Sequence, residues 1–569
     1  MSILVSPGVQ VQELDFTNVV PAVSTSIGGY AGSFRWGPVE EIRTVSSEKD
    51  LALIFGAPDE STARSFLTAA SFLKYSTNLK VSRALNAVSL NATSSAGGKL
   101  IKSRSAYDAD GVVGQTSTVG EWAARCPGTL GNSLAVSVCS ANSTAFNAWA
   151  YKGLFNAAPG TSNSATAIGA EKDELHIVVI DTLGKFSGVA GSVVEKFAFL
   201  SQASDAVASD GTSQYYQTAV NARSNYVFWL KHPSALTNAG NSLEIEGDIT
   251  FTTVTAALEY QLMDGADAAV VAGDVQNALQ MFSDVETVDV NLLFTSGDAD
   301  GDFDVADEVI AIADARKDLV GFISPPIEAS LGADPAATVI TWQNGRSGSS
   351  YIVKDSTALK VYDKYADTYR WIPAAGHIAG LCARTDDVAD AWFSPAGATR
   401  GLLLGVTKLG YNPVAADRDS LYKAGINPIV SFPGTGPMLY GDKTAQVKAS
   451  AFDRINVRRL FLTIEKAVGL AAKASLFELN DEFTRSSFRG AVEPYLRDVK
   501  GRRGITDFKV VCDSTNNTGD IIDRNEFRAD IYVKPAHSIN FITLSFIATR
   551  TGVSFSEVVG TNSSGTPNL

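Results

Sequence analysis

Residues 456–480 read NVRRLFLTIEKAVGLAAKASLFELN. Val457, Leu460, Phe461, Ile464, Val468, Ala471, Ala472 and Leu476 recur at i, i+3 and i+4 steps, which predicts a long amphipathic helix with one buried face. A second helix is expected from about Thr484, carrying Phe488, Val492, Tyr495, Leu496 and Val499 on one side, with a bend at Pro494. Further on, residues 526–535 read EFRADIYVKP. There Phe527, Ala529, Ile531 and Val533 alternate with Arg528, Asp530, Tyr532 and Lys534, the period of a strand with one face in a core. Residues 538–550, SINFITLSFIATR, read as a longer strand that includes Phe541 and Leu544, and the polar run STNNTGD before these strands reads as a surface turn. Two helices over a small sheet make a two-layer α+β module.

Beyond this module the chain continues as VSFSEVVGTNSSGTPNL, in which Val553, Phe555 and Val559 alternate with polar residues and nothing follows for them to pack on. The opening MSILVSPGVQVQELD has the same character: Ile3 and Val5, a Pro7-Gly8 turn, then Val9 and Val11. An orphan strand seeks a sheet edge. Both ends are therefore expected to act as strand arms that join the sheet of a neighbouring copy, on an acceptor face formed by Phe527, Ala529, Ile531, Val533, Phe541 and Leu544.

At 569 residues the chain exceeds one core and calls for several domains. The formal net charge of −14 argues against general nucleic-acid binding. That charge is uneven: residues 453–503 hold 11 Lys/Arg against 7 Asp/Glu, a local +4, leaving −18 elsewhere. A basic face on an acidic protein suggests docking to an acidic partner. Arg485, Arg489, Arg497, Lys500, Arg502 and Arg503, on the second helix and its loop, are the candidates. The four cysteines have no CxxC spacing, the N-terminus has no signal-peptide pattern, and no apolar run approaches the ~20 residues of a membrane span. A reducing cytoplasm suits its assembly, without membrane insertion.

Several segments, in order, carry a resemblance: SPGV at 6–9, AGSFRWGPVE at 31–40, SEKDLALIFG at 47–56, FLKYSTNLKVSRAL at 72–85, CPGTLGNSLAVSV at 126–138, ETVDVNLLF at 286–294, ADARKDLVGFISPP at 313–326, AGHIAGLCARTD at 375–386, AWFSPAG at 391–397 and LYKAGINPIV at 421–430. With the C-terminal module, they resemble the tail sheath proteins of contractile-tailed phages, of the T-even-like kind. The resemblance implies a mixed α+β and α/β multidomain chain. Residues 1–20 would be an N-terminal arm, 21–88 the first segment of a middle domain, 89–238 a β-rich outer insertion, and 239–446 a subtilisin-like α/β middle domain. Residues 447–552 would be an inner C-terminal domain, and 553–569 a second arm. It implies a virion protein that polymerises helically with itself around an inner tail tube, meets baseplate and tail terminator proteins, and needs no cofactor. The basic residues above would be the tube contact. A tailocin or secretion-type sheath is the alternative.

A subtilisin-like fold invites a search for serine-hydrolase chemistry. None of His176, His232, His377 and His537 has a catalytic motif beside it, and no GxSxG occurs. His377, in PAAGHIAG, reads as a core histidine. Residues 434–444, GTGPMLYGDKT, place Asp442 between Gly441 and Lys443 where a phosphate loop needs Gly-Lys directly, so they read as a turn and strand. Residues 297–307, GDADGDFDVAD, lack the turn glycine and the closing glutamate of a calcium loop. An acidic cap on a helix beginning near Val305 is the better account.

Overall fold

The computed structural model describes residues 23–109, 118–296 and 304–539. Its first strand, β1 (Gly28–Ser33), is followed by β2 (Arg43–Val45), α1 (Glu48–Phe55), α2 (Ala63–Phe72) and β3 (Leu79–Ala84). Both the helix-like SFLTAASFLKY and the strand-like LKVSRAL thus form the elements their patterns suggest. The chain then leaves for an insertion whose four-stranded antiparallel sheet is built from β4 (Leu134–Ser140), β5 (Glu174–Asp181), β6 (Ser192–Ser201) and β7 (Leu258–Gln261), in the order β6-β5-β4-β7. The last of these lies beyond residue 238, and residue bridges Thr93 to Met263 and Leu90 to Ala266 hold the two stems of the insertion together. Turn-rich texture fades after 238, so composition gave no hint that Leu258–Gln261 returns to this sheet. Arg83 ties the root down. Fully buried, it donates to the carbonyls of Phe34, Gly37 and Pro127 at 3.0, 2.8 and 2.9 Å, and burial pushes its guanidinium down to about 10.

After the insertion come α3 (Ala272–Gln280), β8 (Leu292–Thr295), α4 (Asp304–Arg316), β9 (Val320–Ile323), β10 (Ile352–Asp355), α5 (Ala375–Val388) and β11 (Ile426–Asn427). With the first strands they complete a seven-stranded sheet in the order β11-β10-β9-β8-β1-β3-β2, parallel throughout except for β2. Parallel strands joined by crossovers have both faces covered. Leu292, Phe294, Val320, Phe322 and Val353 face a core shared with Phe66 and Phe72 of α2 and Ile378 of α5. Their neighbours Leu293, Ile323 and Ile352 face Leu279, Val309 and Ile312 of α3 and α4. Helices α2 and α5 cross closely because Gly376 has no side chain: a Cβ there would lie 2.4 Å from Ser71 Oγ and 2.5 Å from the Thr68 carbonyl. The acidic residues 297–303 before α4 lie outside the described residues. Residues 436–439 pair with 429–432 as a hairpin whose turn carries Gly434, so GTGPMLYGDKT is a turn and strand, with Asp442 buried against Arg454 at 2.9 Å.

The C-terminal module consists of α6 (Ile455–Lys473), α7 (Glu482–Gly501), β12 (Ile505–Val511) and β13 (Asp530–Pro535). Leu460, Ile464 and Val468 of α6 meet Phe488, Val492, Leu496 and Val499 of α7 in one core, with Phe508, Val510, Ile531 and Val533 from the sheet. Helix α7 runs through Pro494 without a break. Asp481 caps it, its Oδ1 accepting from the Thr484 amide at 2.8 Å, and this bond holds the carboxyl below the usual carboxylate range.

Candidate interaction surfaces of the C-terminal module

The joint between the module and the large sheet is made by arginines at the start of α6. Arg454 bonds Asp442 and Tyr422. Arg458 donates to Ser350 Oγ at 2.7 Å and stacks on Tyr351 and Phe452. Arg459, 3% exposed, donates to Asp386 at 2.6 Å, to the Cys382 carbonyl at 3.0 Å and to the Thr25 carbonyl at 3.2 Å. Thr25 Oγ1 completes the knot with Asp386 at 2.6 Å. The expectation of a single buried face therefore fails for the first turns of α6, where Asn456, Arg458 and Arg459 are as buried as Val457 and Leu460. Amphipathic spacing marks what packs through oil; it is blind to cations buried by hydrogen bonding. At its other end the helix stops at Lys473, and Leu476, expected on the buried face, is exposed.

On the far side of the module, β12 and β13 pair antiparallel, Val510 opposite Ile531 and Phe508 opposite Val533. Phe527, Ala529, Ile531 and Val533 all turn inward as their alternation predicts, although the strand itself begins only at Asp530. Strand β12, ITDFKVV, is hard to read from sequence because Thr506, Asp507 and Lys509 break up the alternation of its inward Ile505, Phe508 and Val510. Phe541, Leu544 and the arm residues Ile3, Val5, Val9, Val11, Val553, Phe555 and Val559 lie outside the described residues. Among the described residues, β12 and β13 are a two-stranded sheet.

The six basic candidates separate. Arg485 folds back onto the loop between α6 and α7, donating to the Asn480 carbonyl and Oδ1 at 3.1 and 2.8 Å. Arg502 pairs with Asp390 and lies over Trp392, whose Nε1 donates to the Arg502 carbonyl at 3.1 Å, so it belongs to the joint. Arg489 and Arg497, eight residues apart, and Lys500 share one stripe of α7. Arg489 meets Glu493 only at 4.0 Å, and Lys500 reaches Asp507 at 3.3 Å, a bond that lowers the Asp507 pKa. Arg497 and Arg503 are exposed.

Elsewhere, His176 and His377 are buried, His232 is half-buried, and all three are engaged structurally. His377 Nδ1 and the Tyr75 hydroxyl share a hydrogen bond at 2.9 Å, and burial keeps the imidazole neutral. His176 bonds the Ala157 carbonyl and the Phe199 amide, and His232 bonds Tyr216. Among the described residues no cluster of potential metal ligands occurs, and no helix is long and apolar enough to cross a membrane.

A two-layer module, joined to a largely parallel sheet by buried arginines, defines the architecture of the chain's second half. Residues 447–549 match the phage tail sheath C-terminal domain, and residues 268–445 match the phage tail sheath protein central domain. The tail sheath protein of Vibrio phage KVP40 is 34% identical, the match covering 98% of this chain and all of that protein. That of Enterobacteria phage T4 is 33% identical over 98% of this chain and 99% of its own. In fold, the chain is similar to the contracted helical sheath of the anti-feeding prophage, with a TM-score of 0.50, 14% identity, and coverage of 96% of this chain and 100% of that one. The chain belongs to the phage tail sheath protein family, as the ordered segments of its sequence imply.

Proposed function

We propose that this chain polymerises helically around an inner tail tube and, by contracting from a metastable extended lattice, drives that tube through a host envelope. The observation that carries this reading is the near full-length likeness to sheath proteins of contractile-tailed phages. Baseplate and terminator proteins would bound the polymer, which would assemble in the host cytoplasm before becoming part of the virion. The middle domain is read as subtilisin-like in architecture, which the doubly covered, largely parallel seven-stranded sheet supports. It is read as having no chemistry of its own, since its one histidine, His377, is buried and held by the Tyr75 hydroxyl. Residues 89 to about 267 are read as the outer insertion, because β7 returns to its sheet. Electron microscopy of the purified chain tests the reading: tubes or helical polymers are expected, and discrete particles under all conditions would refute it.

The terminal arms are read as strands that extend the β12–β13 sheet of neighbouring copies, supported by the alternation of Val553, Phe555 and Val559 and by there being only two strands in that sheet among the described residues. About five backbone hydrogen bonds at ~1 kcal/mol each, with burial of Val553, Phe555, Val9 and Val11 at ~1.5–3 kcal/mol each, would keep an arm attached while the domains around it move. Removing residues 553–569 is expected to leave a folded monomer, with normal circular dichroism, that forms no sheath. Normal sheaths from that truncation would end the arm hypothesis.

The tube contact is read as the α7 stripe of Arg489, Arg497 and Lys500 with Arg503, the members of the basic set that are spent neither on the joint, as Arg502 is, nor on Asn480, as Arg485 is. Exposed cations give weak, salt-sensitive contacts, suited to release on contraction. Replacing Arg489, Arg497 and Arg503 by glutamine should weaken assembly on purified tubes severalfold at low salt and leave thermal stability unchanged. Unaltered co-sedimentation with tubes would remove the assignment.

A further inference from the structure

The loop joining α6 to α7 ends in an apolar tip. Leu476, Phe477, Leu479 and Phe483 are 61%, 104%, 77% and 81% exposed, and Phe477 holds a left-handed backbone, φ +69°, which is costly for a bulky residue. Fully exposed phenylalanines present ~150–250 Å² each, so the tip offers on the order of 500 Å², at the upper end for a monomer's largest patch and often functional. It is smaller than the ~800 Å² per side of a stable pairwise interface. The tip thus suits one of several contacts per copy rather than a free-standing dimer. Between residues 474 and 484 its charges are Glu478, Asp481 and Glu482, with no lysine or arginine. The fitting partner is apolar with cations around it.

The same module carries such a surface. On the outer face of the β12–β13 sheet, Lys509 lies opposite Tyr532 in register, with Lys534 and Arg528 along the same side of the second chain. Tyr532 is 61% exposed. The two carboxylates of this face, Asp507 and Asp530, are already answered, Asp507 by Lys500 at 3.3 Å and Lys534 at 3.9 Å, and Asp530 by Arg528 at 3.6 Å. Among the described residues of one copy the tip and this face are both exposed, so neither covers the other. We propose that the α6–α7 tip of one copy seats its phenylalanines beside Tyr532 on the outer sheet face of the next copy, with Glu478 and Glu482 facing Lys509 and Lys534. A contact between two different patches is heterologous and propagates as a ring or helix rather than closing as a pair. The proposal rests on the reading of the chain as a helical polymer, and it adds a globular contact to the one expected of the arms.

The test follows polymer formation by the purified full chain, by sedimentation and electron microscopy across concentration. Phe477→Ser with Phe483→Ser should raise the critical concentration at least tenfold while leaving circular dichroism unchanged. Glu478→Lys with Glu482→Lys, and separately Lys509→Glu with Lys534→Glu, should each raise it about tenfold, and the four changes together should bring it back to within about threefold of the parent. Failure of the combined variant to recover, or wild-type polymerisation by the phenylalanine variant, overturns the proposal. So does a phenylalanine variant that polymerises normally alone but no longer assembles on purified tubes, which would hand the tip to the tube. A parent chain that forms no polymer at all would overturn the sheath reading as well, and is distinguishable from variants that polymerise.

Discussion

Arg459→Ala is expected to cost about 3–5 kcal/mol, the range for removing one partner of a buried ion pair. The side chains of Arg459 and Asp386 are only 4% and 9% exposed, and the guanidinium also holds the carbonyls of Cys382 and Thr25. Its loss strands the Asp386 carboxylate with only the Thr25 hydroxyl. Arg459→Lys should recover little, because one ammonium cannot span three acceptors set on helix α5 and on the segment before β1. By contrast, Lys466→Ala, which removes a pair with Asp289 whose side chains are 27% and 50% exposed, should cost below ~1 kcal/mol. Chemical unfolding of the three variants checks the order. A change for Arg459→Ala within ~0.5 kcal/mol would mean that the knot carries no load. The functional stake is local: Ser24 and Thr25, the first described residues with polar ties, are held by Lys466 and Arg459 of α6. Residues 24 and 25 are therefore fixed to the C-terminal module. Limited proteolysis around residue 25 should accelerate in Arg459→Ala alone.

Helices α2, α6 and α7 and strands β3 and β13 are legible because each carries a clean periodicity or a short apolar run. Sequence reading lost ground where polar groups are buried by bonding. Arg454, Arg458 and Arg459 look like a solvated helix face when counted by charge, yet together they staple two domains. The same counting inflated the basic docking set, since Arg485 and Arg502 are two of its six members and both are consumed within the molecule. Leu476 failed for a different reason: helical spacing continues past Lys473 although the helix does not. Nothing in a one-dimensional pattern says that a run such as SLFELNDEF turns outward; the acidic residues between its phenylalanines were the only available signal. The insertion posed the remaining difficulty, because a sheet closed by a strand more than 50 residues downstream of its third member leaves no local trace.

Asp355→Asn is expected to flatten the pH dependence of stability between about pH 4 and 8. Asp355 ends β10 at the carboxyl edge of the parallel sheet, the edge at which α/β enzymes gather reactive groups. Here that edge is plugged. Ser324 Oγ donates to Asp355 at 2.5 Å and accepts from the Ala375 amide, Ser356 Oγ accepts from the Ile429 amide, and Ser330 Oγ from the Ala358 amide. Burial pushes the Asp355 carboxyl up to about 8, against ~3.9 in an unfolded chain. Between those values the folded state holds a proton that the unfolded state lacks, so stability falls as pH rises, with a slope approaching ~1.4 kcal/mol per unit. Over pH 5 to 7 that is a loss of about 2–3 kcal/mol, which the asparagine variant should not show. Lys354, pushed down to about 8 by burial, acts with the opposite sign and in a separate window: above pH 8 and up to ~10.4 the unfolded state binds the extra proton and stability rises with pH. Urea midpoints at pH 5, 6, 7 and 8 for parent and Asp355→Asn make the comparison. Parallel curves would show that Asp355 is ionised in the folded chain and that its burial is compensated by the hydroxyls around it.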